Sequence, residues 1–187
     1  TYYRLDKTIW YINEYNNNEK IIKITYYLKD GQTINFIDEF NKHGQKTKRI
    51  WYHPDSQTIT EITEFHKNGQ INKIINYHSN SKNIRNIKEY NKYGKTNKIT
   101  TYRDDGSLMN INEYNDGKIV KQTQYRRYSG LIYYIQDYDK DGKIVKQTFY
   151  HRDKKTVASI YEYDQNGDFI KITYYKPDGT IDYFEEL

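Results

Sequence analysis

An acidic–aromatic pair returns along this chain at nearly fixed intervals, and that period constrains the fold more than any other feature. The pairs are Glu14-Tyr15, Glu39-Phe40, Glu64-Phe65, Glu89-Tyr90, Glu113-Tyr114, Asp137-Tyr138 and Glu162-Tyr163, with aromatics 25, 25, 25, 24, 24 and 25 residues apart. A second frame runs beside it. Lys23, Lys48, Lys73, Lys98, Lys121, Lys146 and Lys171 each precede by four residues a tyrosine: Tyr27, Tyr52, Tyr77, Tyr102, Tyr125, Tyr150 and Tyr175. A period this short is one supersecondary unit copied end to end. Residues shared by every copy serve stacking, so a specific site has to lie where the copies differ.

Each copy reads as two strands and two turns. Thr33 to Phe40 typifies the first strand and Ile144 to Tyr150 the second. Between them stands a turn such as Asn41-Lys42-His43-Gly44-Gln45, whose glycine recurs as Gly69, Gly94, Gly117, Gly142 and Gly167. Glycine reaches positive φ without steric cost. The first copy departs, with Glu19 in that place. The return turn carries Asp30-Gly31, Pro54-Asp55, Asp105-Gly106 or Pro177-Asp178-Gly179, all turn-forming pairs. Connections of four or five residues are too short for parallel crossovers, so the strands pair antiparallel.

The predicted fold is therefore all-β: tandem 25-residue hairpins forming an elongated, twisted antiparallel meander, a MORN-like solenoid. The hairpin units run over about 8–32, 33–57, 58–82, 83–106, 107–130, 131–155 and 156–179, with partial repeats at 1–7 and 180–187, all in one array. Register follows from the turns. Glu14 faces Lys23, Ile12 faces Thr25 and Trp10 faces Tyr27; likewise Asp137 faces Lys146, Ile135 faces Thr148 and Tyr133 faces Tyr150. The Glu/Lys frame is then a ladder of cross-strand ion pairs. Simple alternation puts Ile9, Ile34 and Ile59 on the face opposite Ile12, Ile37 and Ile62. Apolar residues on both faces require the sheet to coil, or a bulge to rotate part of the first strand. The partial repeats at the two ends are complementary halves of one hairpin, which predicts an open array, monomeric or weakly self-associating through its terminal strands.

The phrase Ile160-Tyr161-Glu162-Tyr163-Asp164-Gln165-Asn166-Gly167, followed by Lys171-Ile172-Thr173-Tyr174-Tyr175 and Pro177-Asp178-Gly179-Thr180-Ile181, resembles an uncharacterised tandem repeat family of phytoplasmas. More distantly the unit is similar to MORN repeats and to the tyrosine-aspartate repeats of Rhs-type shells. Some copies depart from the phrase: Ile75 replaces the threonine, His78-Ser79-Asn80-Ser81 lacks Pro and Gly, and Arg126-Arg127-Tyr128-Ser129-Gly130 lacks the aspartate. The resemblance implies a bacterial origin and secretion, extending to a host cell. It implies no reaction.

The residues themselves point away from catalysis. The chain has no cysteine, and no Gly-rich phosphate loop or nucleophile–base set appears. His53, His78 and His151 follow the second tyrosine, but neighbouring copies stand two strands apart, about 9–10 Å, and no third ligand recurs. No metal or cofactor is expected, and a periodic sheet offers equivalent copies where an enzyme needs one convergent pocket. No apolar stretch approaches a membrane span, so no membrane insertion is expected. The 30 basic and 25 acidic residues are interleaved, which reads as a solvated surface and not a nucleic-acid footprint.

Binding is the remaining class. Between the lysine and tyrosine of each second strand, one position reads Tyr26, Trp51, Asn76, Thr101, Gln124, Phe149 and Tyr174. Its neighbour reads Ile24, Arg49, Ile74, Ile99, Gln122, Gln147 and Ile172. Arg49 and Trp51 thus depart from the other copies, and Trp and Arg are favoured interface anchors. Arg126, Arg127 and Tyr128 form the other outlier, the one Arg-Arg step in the chain. The reading is a non-enzymatic protein–protein interaction module, secreted and directed at a host protein through these residues. The alternatives are a glycan- or surface-binding aromatic repeat and a structural spacer within a longer repeat protein.

Overall fold

The computed structural model describes residues 1–55, 58–79, 82–152 and 156–186. The Asn80-Ser81 part of one return turn, the unit boundaries at 57 and 155, and Leu187 lie outside the described residues. The chain forms two compact units, Thr1–Lys95 and Thr96–Leu187. The first holds β1 (Tyr2–Tyr3), β2 (Ile9–Tyr15), β3 (Ile21–Tyr27), β4 (Ile34–Phe40), β5 (Lys46–Tyr52), β6 (Ile59–Phe65), β7 (Ile71–Tyr77) and β8 (Ile84–Tyr90). The second holds β9 (Thr96–Tyr102), β10 (Leu108–Asn115), β11 (Lys118–Tyr125), β12 (Ile132–Tyr138), β13 (Ile144–Tyr150), β14 (Val157–Tyr163), β15 (Phe169–Tyr175) and β16 (Ile181–Glu186). Within each unit the strands lie in chain order and pair antiparallel, and no helix occurs among the described residues.

The turns explain the period. Asn41 Oδ1 accepts from the backbone N–H groups of His43 (2.9 Å) and Gln45 (3.1 Å), while Asn41 N–H donates to the Gln45 carbonyl at 2.9 Å. Asn16, Asn91, Asp139 and Asp164 repeat this side-chain anchor, which accounts for the Asn or Asp after the acidic–aromatic pair in these copies. The two 24-residue intervals have separate causes. The return loop from Arg103 to Ser107 closes one residue sooner than that from Leu28 to Thr33. The β10–β11 hairpin closes Asn115 on Lys118 around Asp116 (φ 52) and Gly117 (φ 82), a two-residue turn of mirror-image type. In the return turn, Gly31 is buried, and a Cβ there would lie 2.7 Å from the Ile9 nitrogen.

The register carries the Glu/Lys ladder. Glu14 pairs with Lys23, Ile12 with Thr25, Asp137 with Lys146 and Ile135 with Thr148. Two other expected pairs do not form. The β2–β3 ladder ends at Tyr11 opposite Tyr26, and β12–β13 at Tyr134 opposite Phe149. Tyr27 instead meets Ile34, and Tyr150 meets Val157. The reason is a register shift in every described strand pair, one residue inside the strand's start, or two in β11. Trp10 is the extra residue between Tyr11 and Ile9, which pair with Tyr2 and Tyr3. The shift also corrects the alternation. Directly opposed residues share a face, so Ile34 opposite Tyr27 joins Ile37 opposite Thr25 on one face, although the two are three residues apart.

One face therefore carries three rows: Glu/Lys, then Ile/Thr, then Tyr/Ile. Its central row holds much of the buried surface, with Ile37, Thr25, Thr100, Thr123, Thr148 and Thr173 each 8% exposed or less. Ile37 and Ile172 are the only buried apolar side chains among the described residues. Within each unit each strand packs only on its chain neighbours, so the sheet is a single layer. Its stability comes from cross-strand rows and not from a sandwiched core.

Candidate functional site

The other face of the first unit carries the candidate site. Here the variable positions of the second strands alternate with matching positions of the first strands. The resulting row runs Tyr2, Tyr11, Tyr26, Phe36, Trp51, one ring from each of β1 to β5. The rings touch in sequence, with centroids 4.3, 5.5, 4.3 and 4.6 Å apart. Tyr2 is 47% exposed and the other four are half-buried. Beyond Trp51 the row turns polar: Glu61, then Asn76, whose side-chain amide donates to Asn86 Oδ1 at 3.0 Å. A groove of about 610 Å³ opens beside Trp51, lined by His53, Glu61, Asn76, His78 and Arg85 among others.

Arg49 and Trp51 stand next to one another on this face, but Arg49 is committed within the sheet. Its Nε and Nη2 donate to the two carboxylate oxygens of Asp38 at 2.7 Å each, and Lys46 Nζ adds a contact to Asp38 Oδ2 at 2.8 Å. Asp38 is 2% exposed, the most buried large side chain described. Burial pushes its pKa up, but the hydrogen bonds and charges of Arg49 and Lys46 outweigh it and hold the carboxyl below its ordinary value. The Arg49 guanidinium lies 4.3 Å from the Phe36 ring centre and 5.4 Å from that of Trp51. It thus stiffens the end of the aromatic row by cation–π contact. Burial, and next the Asp38 carboxylate, raise the pKa of Tyr26.

In the second unit, Arg126, Arg127 and Tyr128 divide into two roles. Arg126 Nη2 donates to the Tyr150 carbonyl at 2.7 Å, with its guanidinium 4.6 Å from the Tyr133 ring centre. Arg127 and Tyr128 project outward. Tyr128 is 96% exposed, and Arg127 Nε is 3.7 Å from Asp105. The Arg126 contact belongs to a series. Arg4 reaches the Tyr27 carbonyl (2.6 Å), Arg103 that of Tyr125 (2.7 Å) and His151 that of Tyr175 (3.1 Å). In these four copies the residue after the second tyrosine thus clasps the next copy. These histidine and arginine positions tie turns together, and among the described residues no group of three or more His, Asp or Glu stands at metal-binding spacing.

Sequence reasoning named Arg49 and Trp51 but missed Tyr2, Tyr11, Phe36 and Asp38. The signal was present: with Ile12 opposite Thr25, the same register sets Tyr11 opposite Tyr26, Phe36 opposite Trp51 and Asp38 opposite Arg49.

Comparison with known proteins finds one family, described as protein of unknown function (DUF2963), which matches residues 2–48, 39–76, 77–124, 125–174 and 150–187. No curated protein matches the chain by sequence. Among solved structures, a TarM variant of S. aureus, in complex with Fondaparinux, alpha-GlcNAc-glycerol and UDP, is 12% identical over 59% of this chain and 19% of its own, with a TM-score of 0.34. TcdB2-TccC3-TEV is 14% identical over 94% of this chain and 10% of its own, at 0.24. BF3112 of Bacteroides fragilis, of unknown function, is 10% identical over 97% and 95%, at 0.14. The chain thus spans about a fifth of TarM and a tenth of TcdB2-TccC3-TEV, and at these scores none of the three bears on what it does.

Proposed function

The chain belongs to the family described as protein of unknown function (DUF2963), and from that premise we propose that it is a non-enzymatic protein-binding array whose partner docks on the aromatic row of the first unit. The observation that carries this reading is the run of five touching rings from Tyr2 to Trp51 on a single-layer sheet. Half-exposed aromatic side chains bury large area at little entropic cost, which suits them as anchors. Four strand spacings give the row a length of roughly 19 Å, comparable to the core of a protein interface. The row also lies at positions where copies differ, so it can be particular without disturbing the repeat. We extend the proposal to a secreted bacterial protein with a host protein as partner, which rests on the resemblance to phytoplasma repeats.

The repeat itself supplies gentle substitutions for a test. Tyr26→Thr places the Thr101 residue at the matching position, and Phe36→Ser places that of Ser159. The double variant is expected to stay folded and to lose capture of the host protein retained by the parent. Lys98→Gln, away from the row, is expected to retain it. Capture that survives loss of the rings overturns the reading. Binding on a glycan array that depends on the same two residues replaces it with the saccharide alternative.

A further inference from the structure

The face that carries the ring row in the first unit has a different character in the second. From β10 to β14 its middle row reads Asn112, Gln122, Gln136, Gln147 and Tyr161, and the row beside it reads Asn110, Gln124, Tyr134, Phe149 and Ser159. A third row sets Tyr114 opposite Ile119 and Tyr138 opposite Ile144. No side chain in these rows is charged, although 29% of the chain is. The same rows of the first unit hold Asp38, Lys46, Arg49, Glu61 and Lys88.

Amides and rings lie side by side on this neutral surface. Gln122 Nε2 donates to Asn112 Oδ1 at 3.0 Å, and the Tyr138 hydroxyl donates to Gln136 Oε1 at 3.0 Å. Gln124 and Gln147 make no side-chain hydrogen bond among the described residues. Next to them Tyr134, Phe149, Tyr161 and Phe169 touch in sequence, with centroids 5.6, 5.5 and 6.0 Å apart. A side-chain amide offers a donor and an acceptor together, which suits hydroxyl groups that also do both. An anionic partner such as a nucleic acid or an acidic peptide finds no countercharge in these rows. Protein interfaces draw on aromatic residues, Met and Arg, whereas here the places beside the rings belong to Asn and Gln.

We propose that this face of the second unit binds an uncharged, β-linked oligosaccharide laid across the strands. Such a chain is a flat ribbon with C–H groups on its faces and hydroxyls along its edges, and a single-layer sheet gives it a matching bed. It advances per sugar by about one strand spacing, roughly 5 Å, so successive sugars meet successive strands. The rings of Tyr134 and Phe149 take the C–H face, and Gln122, Gln124, Gln136 and Gln147 bond the hydroxyls. Row Asn112 to Gln147 covers three strand spacings, roughly 14 Å, enough for about three sugars. The site is separate from the ring row of the first unit, and neither reading depends on the other.

The test is calorimetric titration of the full chain with cellohexaose and with chitohexaose, and with a hyaluronan hexasaccharide as the anionic β-linked control. At least one neutral sugar is expected to bind and the hyaluronan fragment to bind at least tenfold more weakly, by an order-of-magnitude expectation from the missing countercharge. Gln147→Ile and Phe149→Thr reproduce Ile172 and Thr101 of other copies, so the sheet is expected to tolerate both. Gln147→Ile should weaken binding about fivefold, as for one lost hydrogen bond, and Phe149→Thr should weaken it further. Tyr26→Thr, in the first unit, should leave it unchanged. In the parent chain, backbone hydrogen exchange should slow over β10 to β13 when the sugar is added, a readout that needs no variant. Absence of binding to both neutral sugars, equal binding of the hyaluronan fragment, loss of binding in Tyr26→Thr, or exchange slowed only in the first unit overturns the proposal.

Discussion

Arg49→Met should cost this protein far more than loss of a lysine from the charge row, and the two ion-pair environments set the ratio. Asp38 is 2% exposed and takes two bonds of 2.7 Å from Arg49. Removing one partner of a fully buried pair costs about 3–5 kcal/mol, because the remaining charge is stranded. Here Lys46 stays within 2.8 Å of Asp38, and the Arg49 side chain is itself 27% exposed. Both reduce the loss, so we expect about 2–3 kcal/mol, including the cation–π contact with Phe36. Lys23 and Glu14, at 36% and 48% exposure, form the contrast, and Lys23→Met should cost less than about 1 kcal/mol.

A double variant sharpens the argument. Asp38→Thr with Arg49→Ile reproduces the Thr63–Ile74 pair found two strands on, removing both charges together. It should recover most of the loss, because replacing a buried pair by packed neutral residues is often near neutral. Urea melts followed by Trp51 fluorescence in a Trp10→Phe background report on this region directly, since the chain has two tryptophans. If Arg49→Met costs no more than Lys23→Met, or the double variant is less stable than Arg49→Met alone, the assignment of Asp38 as the buried, charge-dependent centre is wrong.

Three further outcomes follow from the same geometry. The folded pKa of Asp38 lies below its unfolded value near 3.9, so its contribution is fully present above about pH 4 and lost as pH falls through the folded value; Asp38→Asn should lower stability at pH 7 and flatten the acid limb of a pH–stability curve. Glu19 sits at φ 59 where other copies have glycine, so Glu19→Gly should stabilise by about 0.5 kcal/mol, relief of left-handed strain slightly exceeding the entropy of the added glycine; thermal melts showing a loss would contradict this. Arg103→Met removes bonds to the Leu108 and Tyr125 carbonyls and should destabilise the second unit by about 1–2 kcal/mol in denaturant melts.

Strand order, turn chemistry and the charge ladder were legible because each is local. A hairpin's turn length dictates its register, and register dictates which residues oppose one another. The bulges were only half legible. Apolar residues on both faces demanded either a bulge or coiling, yet nothing in the residue types distinguishes Ile34 as the flipped position, because alternation and bulge use the same Ile-Asn-Phe-Ile letters. The clasp from Arg4, Arg103, Arg126 and His151 was not legible: sequence alone makes Arg126 a candidate binding residue and leaves Arg4 and Arg103 unremarked. Its partner is a backbone carbonyl in the next copy, and a carbonyl leaves no mark on the sequence. Asp38 is one of 25 acidic residues in the chain, and only its place opposite Arg49 in the register sets it apart.

The single layer connects architecture to the recognition proposed above. With each strand resting only on its neighbours in a unit, stability is a sum over adjacent pairs. Change at one position then costs little beyond the two rows it touches. The Glu/Lys and Ile/Thr rows share one face and hold the register. That leaves the opposite face free to vary, and it does: rings from Tyr2 to Trp51, then Glu61 and the amides of Asn76 and Asn86. In a packed sandwich the same positions would face a second sheet, and each change would have to fit both layers. The division of labour between the two faces is therefore what allows an array of nearly identical copies to carry one surface that is not repeated.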